Sequence, residues 1–337
     1  MNLKRTHAIT MALSIAMLVA TIVVSCGVQL VEAVKPLMYV ANGDSDTVSV
    51  IKTKRDTVTS PIAVGEEPVG IAFDPTRKRM YVTNAGNDTV SVIQTKTNTV
   101  TSKIAVGDSP FGIAFDSTHK RMYVTNVFSN TVSVIQTKTN TVTSEIDMQP
   151  GIAEPGGIAF DPTHKRMYVT HSENGKVSVI DTNTNTVVGS PIGVGEGADE
   201  IAFDPTHKRM YVTNSLSGNV SVIDTNTNTV TSEIALGDSP FGIAFDAKHK
   251  RMYVTHPGSG TVSVIDTNGN IPLGSPIAVG QERPFGIAFD PTHNRMYVTN
   301  ILSDRVSVID TDTNTLVGSP LVVGGSPIAI AFAGPRH

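Results

Sequence analysis

The chain of 337 residues has 30 acidic side chains against 26 Lys and Arg, a formal net charge of −4, and 39% hydrophobic residues. It contains one cysteine, Cys26, and no tryptophan. The domain that follows Cys26 therefore has no disulfide, no thiolate metal site and no Cys-x-x-Cys-His run for covalent haem attachment. A site that stacks sugars or bases would have to use Tyr and Phe.

The first 35 residues are predicted to be an export segment. Lys4 and Arg5 precede a charge-free, apolar stretch at 9–31, which is typical of a secretory signal. Three outcomes stay open: a lipobox that leaves Cys26 lipidated, ordinary cleavage after Ala33, or an uncleaved membrane anchor, since about 20 apolar residues can span a bilayer. All three place residues 36–337 outside the cytoplasm, in the cell envelope or secreted.

From residue 37 onward the chain repeats itself. A Met-Tyr-Val motif recurs at intervals of 42 to 45 residues and accounts for every tyrosine: Tyr39, Tyr81, Tyr123, Tyr168, Tyr211, Tyr253 and Tyr297. A fixed period of this size indicates a repeat architecture, in which one unit buries its apolar face only by stacking on its neighbours.

Each repeat is predicted to contain four short strands. In one repeat these are 111–115, 121–125, 131–135 and 141–146, all rich in Val, Ile, Thr or aromatic residues and separated by Asp, Asn, Ser and Thr. Such runs are strand signals, and four strands per unit of roughly 40–50 residues is the β-propeller pattern.

The two ends of the domain explain how the propeller closes. The chain enters on a second-type strand at 37–40 and leaves on a first-type strand at 328–332. Six complete blades lie between them. The sequence therefore predicts an all-β, seven-bladed propeller, 36–337, in which the C-terminal strand pairs with three N-terminal strands and removes the open sheet edges.

The second strands carry a family resemblance. Residues 81–84, 123–126, 211–214 and 297–300 all read Tyr-Val-Thr-Asn, and the chain resembles the YVTN β-propeller repeat family over residues 36–337. The resemblance implies a secreted or envelope-bound protein with a surface or binding role, and it carries no shared catalytic residues. Ala41, His171 and His256 depart from the motif.

Charge is predicted to divide between the two faces of the propeller. The first-to-second and third-to-fourth turns share one face, here called the bottom; the second-to-third loops and the fourth-to-first connections share the other, the top. Basic residues exceed acids on the bottom. On the top, acids prevail and only Lys176, Arg283 and Arg305 oppose them.

The bottom turns repeat an Asp-Pro-Thr-His-Lys-Arg pattern almost unchanged. Asp before Pro is ordinary turn chemistry, so these turns are interpreted as structural units in which the Asp and Arg pair. Their histidines are interpreted as turn residues: His119, His164, His207, His249 and His293. A basic ring that rests on an anionic surface is a weaker alternative, and nucleic acid is not an expected partner.

The top loops differ from blade to blade, and variable loops on a repeated scaffold usually carry function. Most blades enter the first strand through a Pro-x-Gly sequence, whereas one reads Ala-Asp199-Glu200. An enlarged loop at 147–154 ends in Glu154, and His171 and His256 end second strands. These five residues are the candidate ligand-binding site, with Glu200, His171 and His256 the weak catalytic candidates. Carboxylates and imidazoles can bind a divalent cation or transfer protons, although no cofactor is required.

The sequence favours a non-enzymatic binding scaffold that uses its acidic top face. The expected partners are a protein, a surface polymer or a small ligand, with membrane anchoring through the N-terminus. The alternative is an extracytoplasmic, metal-dependent enzyme of lactonase or lyase type with its centre at the channel mouth.

Overall fold

Seven antiparallel sheets follow one another along the chain, and together they form a seven-bladed β-propeller. The computed structural model describes residues 36–149, 151–280 and 282–334. The export segment with Cys26 lies outside these residues. No helix occurs within the described ranges, and so none there is long and apolar enough to cross a membrane. The predicted fold class is confirmed.

We number the blades 1 to 7 from residue 68 onward, and blade 7 joins the two ends of the domain. The first, innermost strands of blades 1 to 7 are Pro68–Asp74, Pro110–Asp116, Pro155–Asp161, Ala198–Asp204, Ile243–Asp246, Pro284–Asp290 and Pro327–Ala333. The second strands are Arg79–Asn84, Arg121–Asn126, Arg166–His171, Arg209–Asn214, Arg251–His256, Arg295–Asn300 and Leu37–Asn42. The third strands are Thr89–Gln94, Thr131–Gln136, Lys176–Asp181, Asn219–Asp224, Thr261–Asp266, Arg305–Asp310 and Thr47–Lys52.

The fourth, outermost strands are of two kinds. Blades 1, 2 and 4 have continuous ones: Thr99–Ala105, Thr141–Asp147 and Thr229–Ala235. In blades 3, 5, 6 and 7 the strand is split into Thr186–Val187 and Ile192–Gly193, Ile271–Pro272 and Ile277–Ala278, Thr315–Leu316 and Leu321–Val322, and Thr57–Val58 and Ile62–Ala63. A proline lies in the gap of each split strand, and it has no N–H to give to the ladder. The repeat pattern predicts a single fourth strand in each blade, and the interruption at these prolines is a difference from that expectation.

Blade 7 contains strands from both ends of the chain. Strand Pro327–Ala333 pairs antiparallel with Leu37–Asn42, so that Leu37 lies opposite Ala333 and Val40 opposite Ile330. This pairing is compatible with the predicted one-plus-three closure.

The core lies between the blades. One buried cluster joins Tyr81 and Val92 of blade 1 to Phe115, Met122 and Ile135 of blade 2. Equivalent clusters occur at the other blade junctions because successive side chains of a strand point to opposite faces of its sheet. Each buried side chain of this size contributes about 1.5–3 kcal/mol.

A ring of hydrogen bonds from tyrosine hydroxyls links the blades. Tyr81 donates to Asn140 Oδ1 of the next blade at 2.7 Å. The other tyrosines make the same bond to Asn98, Asn185, Asn228, Asn270 and Asn314, and Tyr297 donates to Asp56. The acceptor residues all have positive φ, as for Asn140 at 56°, a conformation that Asn and Asp tolerate better than other residues with a side chain. The Met-Tyr-Val motif and the Asn of the third turn are therefore two halves of one contact.

Histidine, rather than the expected arginine, pairs with the buried aspartate in most bottom turns. Asp116 is fully buried, accepts the Thr118 and His119 amides through Oδ1, and contacts His119 Nδ1 through Oδ2 at 2.7 Å. The same His–Asp contact recurs four times more. Arg121 instead reaches the Thr182 carbonyl of the next blade. The expected Asp–Arg contact within a turn occurs where His is replaced by Arg77, 3.5 Å from Asp74.

Candidate functional site

The top face is built from paired connections. In blades 1, 2, 4, 6 and 7 the loop after the second strand bonds to the connection that precedes the first strand: the Ala85 amide donates to the Glu67 carbonyl at 2.9 Å, and the Phe128 amide to the Asp108 carbonyl at 3.3 Å. These bonds hold the acidic residues of the connections beside the variable loop tips.

Glu200 occupies a position that most other blades reserve for glycine. The equivalent residues are Gly70, Gly112, Gly157, Gly242, Gly286 and Ala329. A Cβ at Gly70 would lie 2.1 Å from the Phe111 carbonyl oxygen of the next blade, a distance that no side chain tolerates. The backbone of the facing blade keeps its usual place, since the Phe241 carbonyl accepts the Thr213 hydroxyl at 2.6 Å. The Glu200 carboxylate lies beside the glycine of the preceding blade, where a Cβ on Gly157 would be 3.0 Å from Glu200 Oε2.

Burial changes the acidity of the two channel-mouth carboxyls. The Glu200 side chain reaches solvent in the channel, yet protein surrounds it, and this burial together with the charge of Asp199 raises its pKa to about 7. Burial also raises the pKa of Asp199, although the Ser172 hydroxyl, 3.3 Å from Asp199 Oδ1, partly offsets the effect. Asp199 and Glu200 follow each other on the inner strand of blade 4, where Glu200 lines the channel cavity and Asp199 contacts Ser172 of blade 3.

The two motif histidines are held by contacts within their own blades. His171 Nδ1 lies 3.1 Å from the Ala153 carbonyl and Nε2 2.9 Å from the Ser178 hydroxyl. His256 makes the same pair of contacts, to the Asp238 carbonyl and the Ser263 hydroxyl at 2.8 Å each. Since a carbonyl only accepts, Nδ1 carries the proton and Nε2 accepts from the serine. Neither ring has a free nitrogen for a ligand.

His171 and His256 link the same two elements as the asparagine that ends the other second strands. Asn84 accepts the Gly65 amide and donates to Ser91 Oγ at 3.1 Å, and so it also links the fourth-to-first connection to the third strand. Burial lowers the pKa of His171 to about 4 and also lowers that of His256. Both rings are neutral at pH 7.

Glu154 is an exposed residue at a repeated backbone position. Its φ is 55°, and the residues that precede the first strands of other blades share this conformation, among them Glu67, Ser109 and Ser326. Within the described residues, no three His, Cys, Asp or Glu side chains come close enough together to hold a metal ion. Cys26, the candidate for lipidation, lies outside the described ranges.

A cavity that the repeat pattern does not predict lies in the upper half of the channel. It has a volume of about 140 Å³, and Phe111, Phe241, Phe285 and Glu200 contribute to its lining. The Phe241 and Phe285 rings stack with their centres 3.9 Å apart. The sequence signal for this cavity is the Pro-Phe-Gly sequence at the start of three first strands. The three phenylalanines come together only when the ring of blades closes.

The top loops also expose apolar side chains. Phe128, Leu216 and Leu302 are 79%, 77% and 70% exposed. They occupy the same position in the second-to-third loops of blades 2, 4 and 6, where blades 1, 3, 5 and 7 carry Gly86, Glu173, Gly258 and Asp44.

Comparisons with solved structures identify the fold. The chain is similar to hydrazine synthase of Kuenenia stuttgartiensis (TM-score 0.71, 21% identity, 78% of this chain and 89% of that chain). It is also similar to a functionally unknown protein from Desulfotomaculum acetoxidans (TM-score 0.76, 16% identity, 89% and 99%) and to a protein from Lactobacillus plantarum (TM-score 0.75, 18% identity, 89% and 99%). These identities are low, and the likeness shows the fold alone.

Sequence comparison gives the family. No curated protein matches the chain. The sequence model of the YNCE-like β-propeller family matches residues 77–334, and the YVTN family that the strand motif resembles is a related kind of β-propeller. Five of the seven blades, 2 to 6, lie wholly within the match, which covers more than half of the chain, and the chain therefore belongs to the YNCE-like β-propeller family.

Proposed function

We propose that this protein is an exported binding scaffold that holds a protein partner against its top face. The observation that carries the proposal is the exposure of Phe128, Leu216 and Leu302 at one loop position on alternate blades. A single exposed apolar side chain is ordinary. Three at equivalent positions on one face resemble the apolar anchors of a protein interface.

Charge indicates what kind of partner fits. Each apolar tip lies beside an acidic residue of the paired connection, since the Phe128 amide bonds to the Asp108 carbonyl and the Leu302 amide to the Glu282 carbonyl. Such a face repels anionic membranes and a second copy of itself, and it attracts a basic surface. The partner is a protein with apolar pockets bordered by Lys or Arg.

The enzyme alternative finds less support. It requires a metal and acid–base groups at the channel mouth, but the ring nitrogens of His171 and His256 are engaged in their own blades. The described residues also provide no group of three metal ligands.

The interface is tested with matched variants of the full chain. Phe128→Ser, Leu216→Ser and Leu302→Ser are combined in one protein, and Ile271→Ser with Leu316→Ser, which are also exposed but lie at the bottom of outer strands, form the control. Cross-linking in envelope fractions of the source organism identifies candidates, which are then purified and titrated. We expect the triple variant to bind at least about 10-fold more weakly, and the control to bind as the wild type does.

Two outcomes would contradict the proposal. Equal weakening by both variants would mean that the top face is not the interface, and a captured partner that proves to be a polymer would overturn the assignment to a protein.

Export is a separate part of the proposal and rests on Lys4, Arg5 and the apolar stretch 9–31. Mass spectrometry of the protein purified from envelope and medium measures its N-terminus. A lipid on Cys26, a start at Val34 or an intact N-terminus in the membrane each supports export, whereas an intact chain in the cytoplasm contradicts it.

A further inference from the structure

The channel cavity is lined by backbone atoms, apolar side chains and one acidic side chain. Of the described residues that line it, Glu200 alone is ionisable, and the others are glycine, alanine, aliphatic residues or phenylalanine. A carboxylate in such surroundings is costly to ionise unless a cation or several donors face it. Among the described residues no Lys, Arg or His forms an ion pair with Glu200.

The aromatic part of the lining favours a particular kind of cation. Phe111, Phe241 and Phe285 come from three different blades, and the stack of Phe241 on Phe285 fixes two of the rings against each other. Aromatic faces attract ammonium ions through the ring quadrupole, and cages of aromatic residues are a known means of binding them. Divalent metal ions instead require several oxygen or nitrogen ligands, and this lining offers one carboxylate.

The volume of the cavity and the acidic residues around its mouth also favour a small organic cation. An engineered apolar cavity of about 150 Å³ binds benzene, so a volume of about 140 Å³ accommodates a body of about five or six carbon atoms. The acidic connections that precede the inner strands raise the local concentration of cations at this end of the channel.

We propose that the channel cavity binds a small organic ammonium ion, with the ammonium group on the Glu200 carboxylate and the hydrocarbon body against the phenylalanines. This site is independent of the protein interface on the loop tips. It uses a side chain that replaces the repeat glycine, and so only blade 4 provides it.

Binding depends on the ionisation of Glu200. Asp199 is the nearest other acid, on the same strand. The neighbouring strands Pro155–Asp161, Arg209–Asn214 and Ile243–Asp246 carry their charged residues (Asp161, Arg209 and Asp246) at their bottom ends. Because burial raises the pKa of Glu200 to about 7, the carboxylate is mostly neutral at pH 6 and mostly charged at pH 8. Affinity for an ammonium ion therefore falls about 10-fold between pH 8 and pH 6.

The test uses isobutylammonium and its neutral counterpart, isobutanol. Both are titrated by NMR into the full chain at pH 8, where an alkylammonium is still protonated, and at pH 6. Variants are Glu200→Gln, which keeps the shape and removes the charge, Phe285→Leu, and Glu66→Gln as a control at an exposed acid of the top face. Thermal melting verifies that each variant is folded.

We expect the ammonium ion to bind at least about 10-fold more tightly than the alcohol at pH 8. Glu200→Gln should abolish this preference and leave alcohol binding unchanged, Phe285→Leu should weaken the binding of both probes, and Glu66→Gln should leave both unchanged. No ammonium binding up to about 50 mM, equal binding of the two probes, or a preference that survives Glu200→Gln would overturn the proposal. The triple loop-tip variant should bind isobutylammonium normally, and so loss of the protein interface does not imitate loss of this site.

Discussion

At the scale of single residues, the tyrosine hydroxyls set the relation between one blade and the next. Six of the acceptors are asparagine amides, whereas the seventh, Asp56, is a carboxylate that also contacts Arg295 at 2.6 Å. Burial raises the pKa of Tyr81 to about 12, so the phenol remains a donor at physiological pH. The contact at the junction of blades 6 and 7 thus has a different chemistry from the others.

Removing these hydroxyls should have unequal costs. We expect Tyr211→Phe to lower the free energy of unfolding by about 1 kcal/mol, and Tyr297→Phe by about 1.5–3 kcal/mol, because a hydrogen bond to a charged group is stronger. Urea unfolding of the two variants measures the difference. Asp56→Asn provides the control: in that background, Tyr297→Phe should cost no more than Tyr211→Phe. Equal losses in the wild-type background would refute the charge-assisted bond.

His171 and Glu200 should give stability opposite dependences on pH. The folded-state pKa of His171 is lowered from 6.5 to about 4, so its stabilising contribution is present above pH 6.5 and is lost as pH falls to 4, a loss of roughly 3 kcal/mol. The folded-state pKa of Glu200 is raised from 4.5 to about 7, so its contribution is present below pH 4.5 and is lost as pH rises to 7.

Melting temperatures between pH 4.5 and pH 6.5 separate the two residues. The melting temperature of His171→Asn minus that of the wild type should decrease as pH rises. For Glu200→Gln the same difference should increase. The control, Glu154→Gln at an exposed position, should parallel the wild type. A variant curve parallel to the wild-type curve would mean that the residue it replaces does not titrate as proposed.

At the scale of the elements, the second and third strands were predictable because their Val, Ile and Tyr pattern is strong and repeats in every blade. The fourth strands were less predictable. A proline fits an edge strand when its nitrogen faces solvent, and it interrupts the ladder when its nitrogen faces the neighbouring strand. The Ala-Asp-Glu entry of one first strand is enough to predict Asp199 and Glu200 at the channel mouth. Their burial, and the meeting of three phenylalanines beside Glu200, depend on side chains from separate blades and could not be inferred from one repeat.

The continuous outer strands present unpaired edges, which are potential sites of aggregation. In the described structure each of these edges has an exposed charge in its middle: Lys103, Glu145 and Glu233. We expect Lys103→Val, Glu145→Val and Glu233→Val together to increase light scattering on storage at high concentration while leaving the fold intact. The same number of charge-to-valine changes on top loops, at Glu66, Glu173 and Glu196, should scatter less. Equal scattering by the two variants would contradict a protective role of the edge charges.

At the scale of the whole molecule, the ring depends on strand Pro327–Ala333, which is the innermost strand of blade 7. A chain that ends at residue 326 lacks this strand, so we expect it to lose cooperative urea unfolding and to expose the apolar face of Leu37–Asn42. A peptide of residues 327–337, added in excess, should restore the transition. A scrambled peptide is the control. If the truncated chain unfolds as the full domain does, the C-terminal strand is not required for closure.

The tyrosine–asparagine contacts also bear on how such a chain changes length in evolution. Each unit of 42 to 45 residues brings one donor for the blade ahead and one acceptor for the blade behind. A tandem duplication or deletion of a whole unit therefore leaves every junction supplied with both halves of its bond, and it leaves Tyr297 and Asp56 at the point where the ends meet. The number of blades is then limited by the angle between neighbouring sheets rather than by any single contact. Duplication of whole units would also leave repeats as similar as these are.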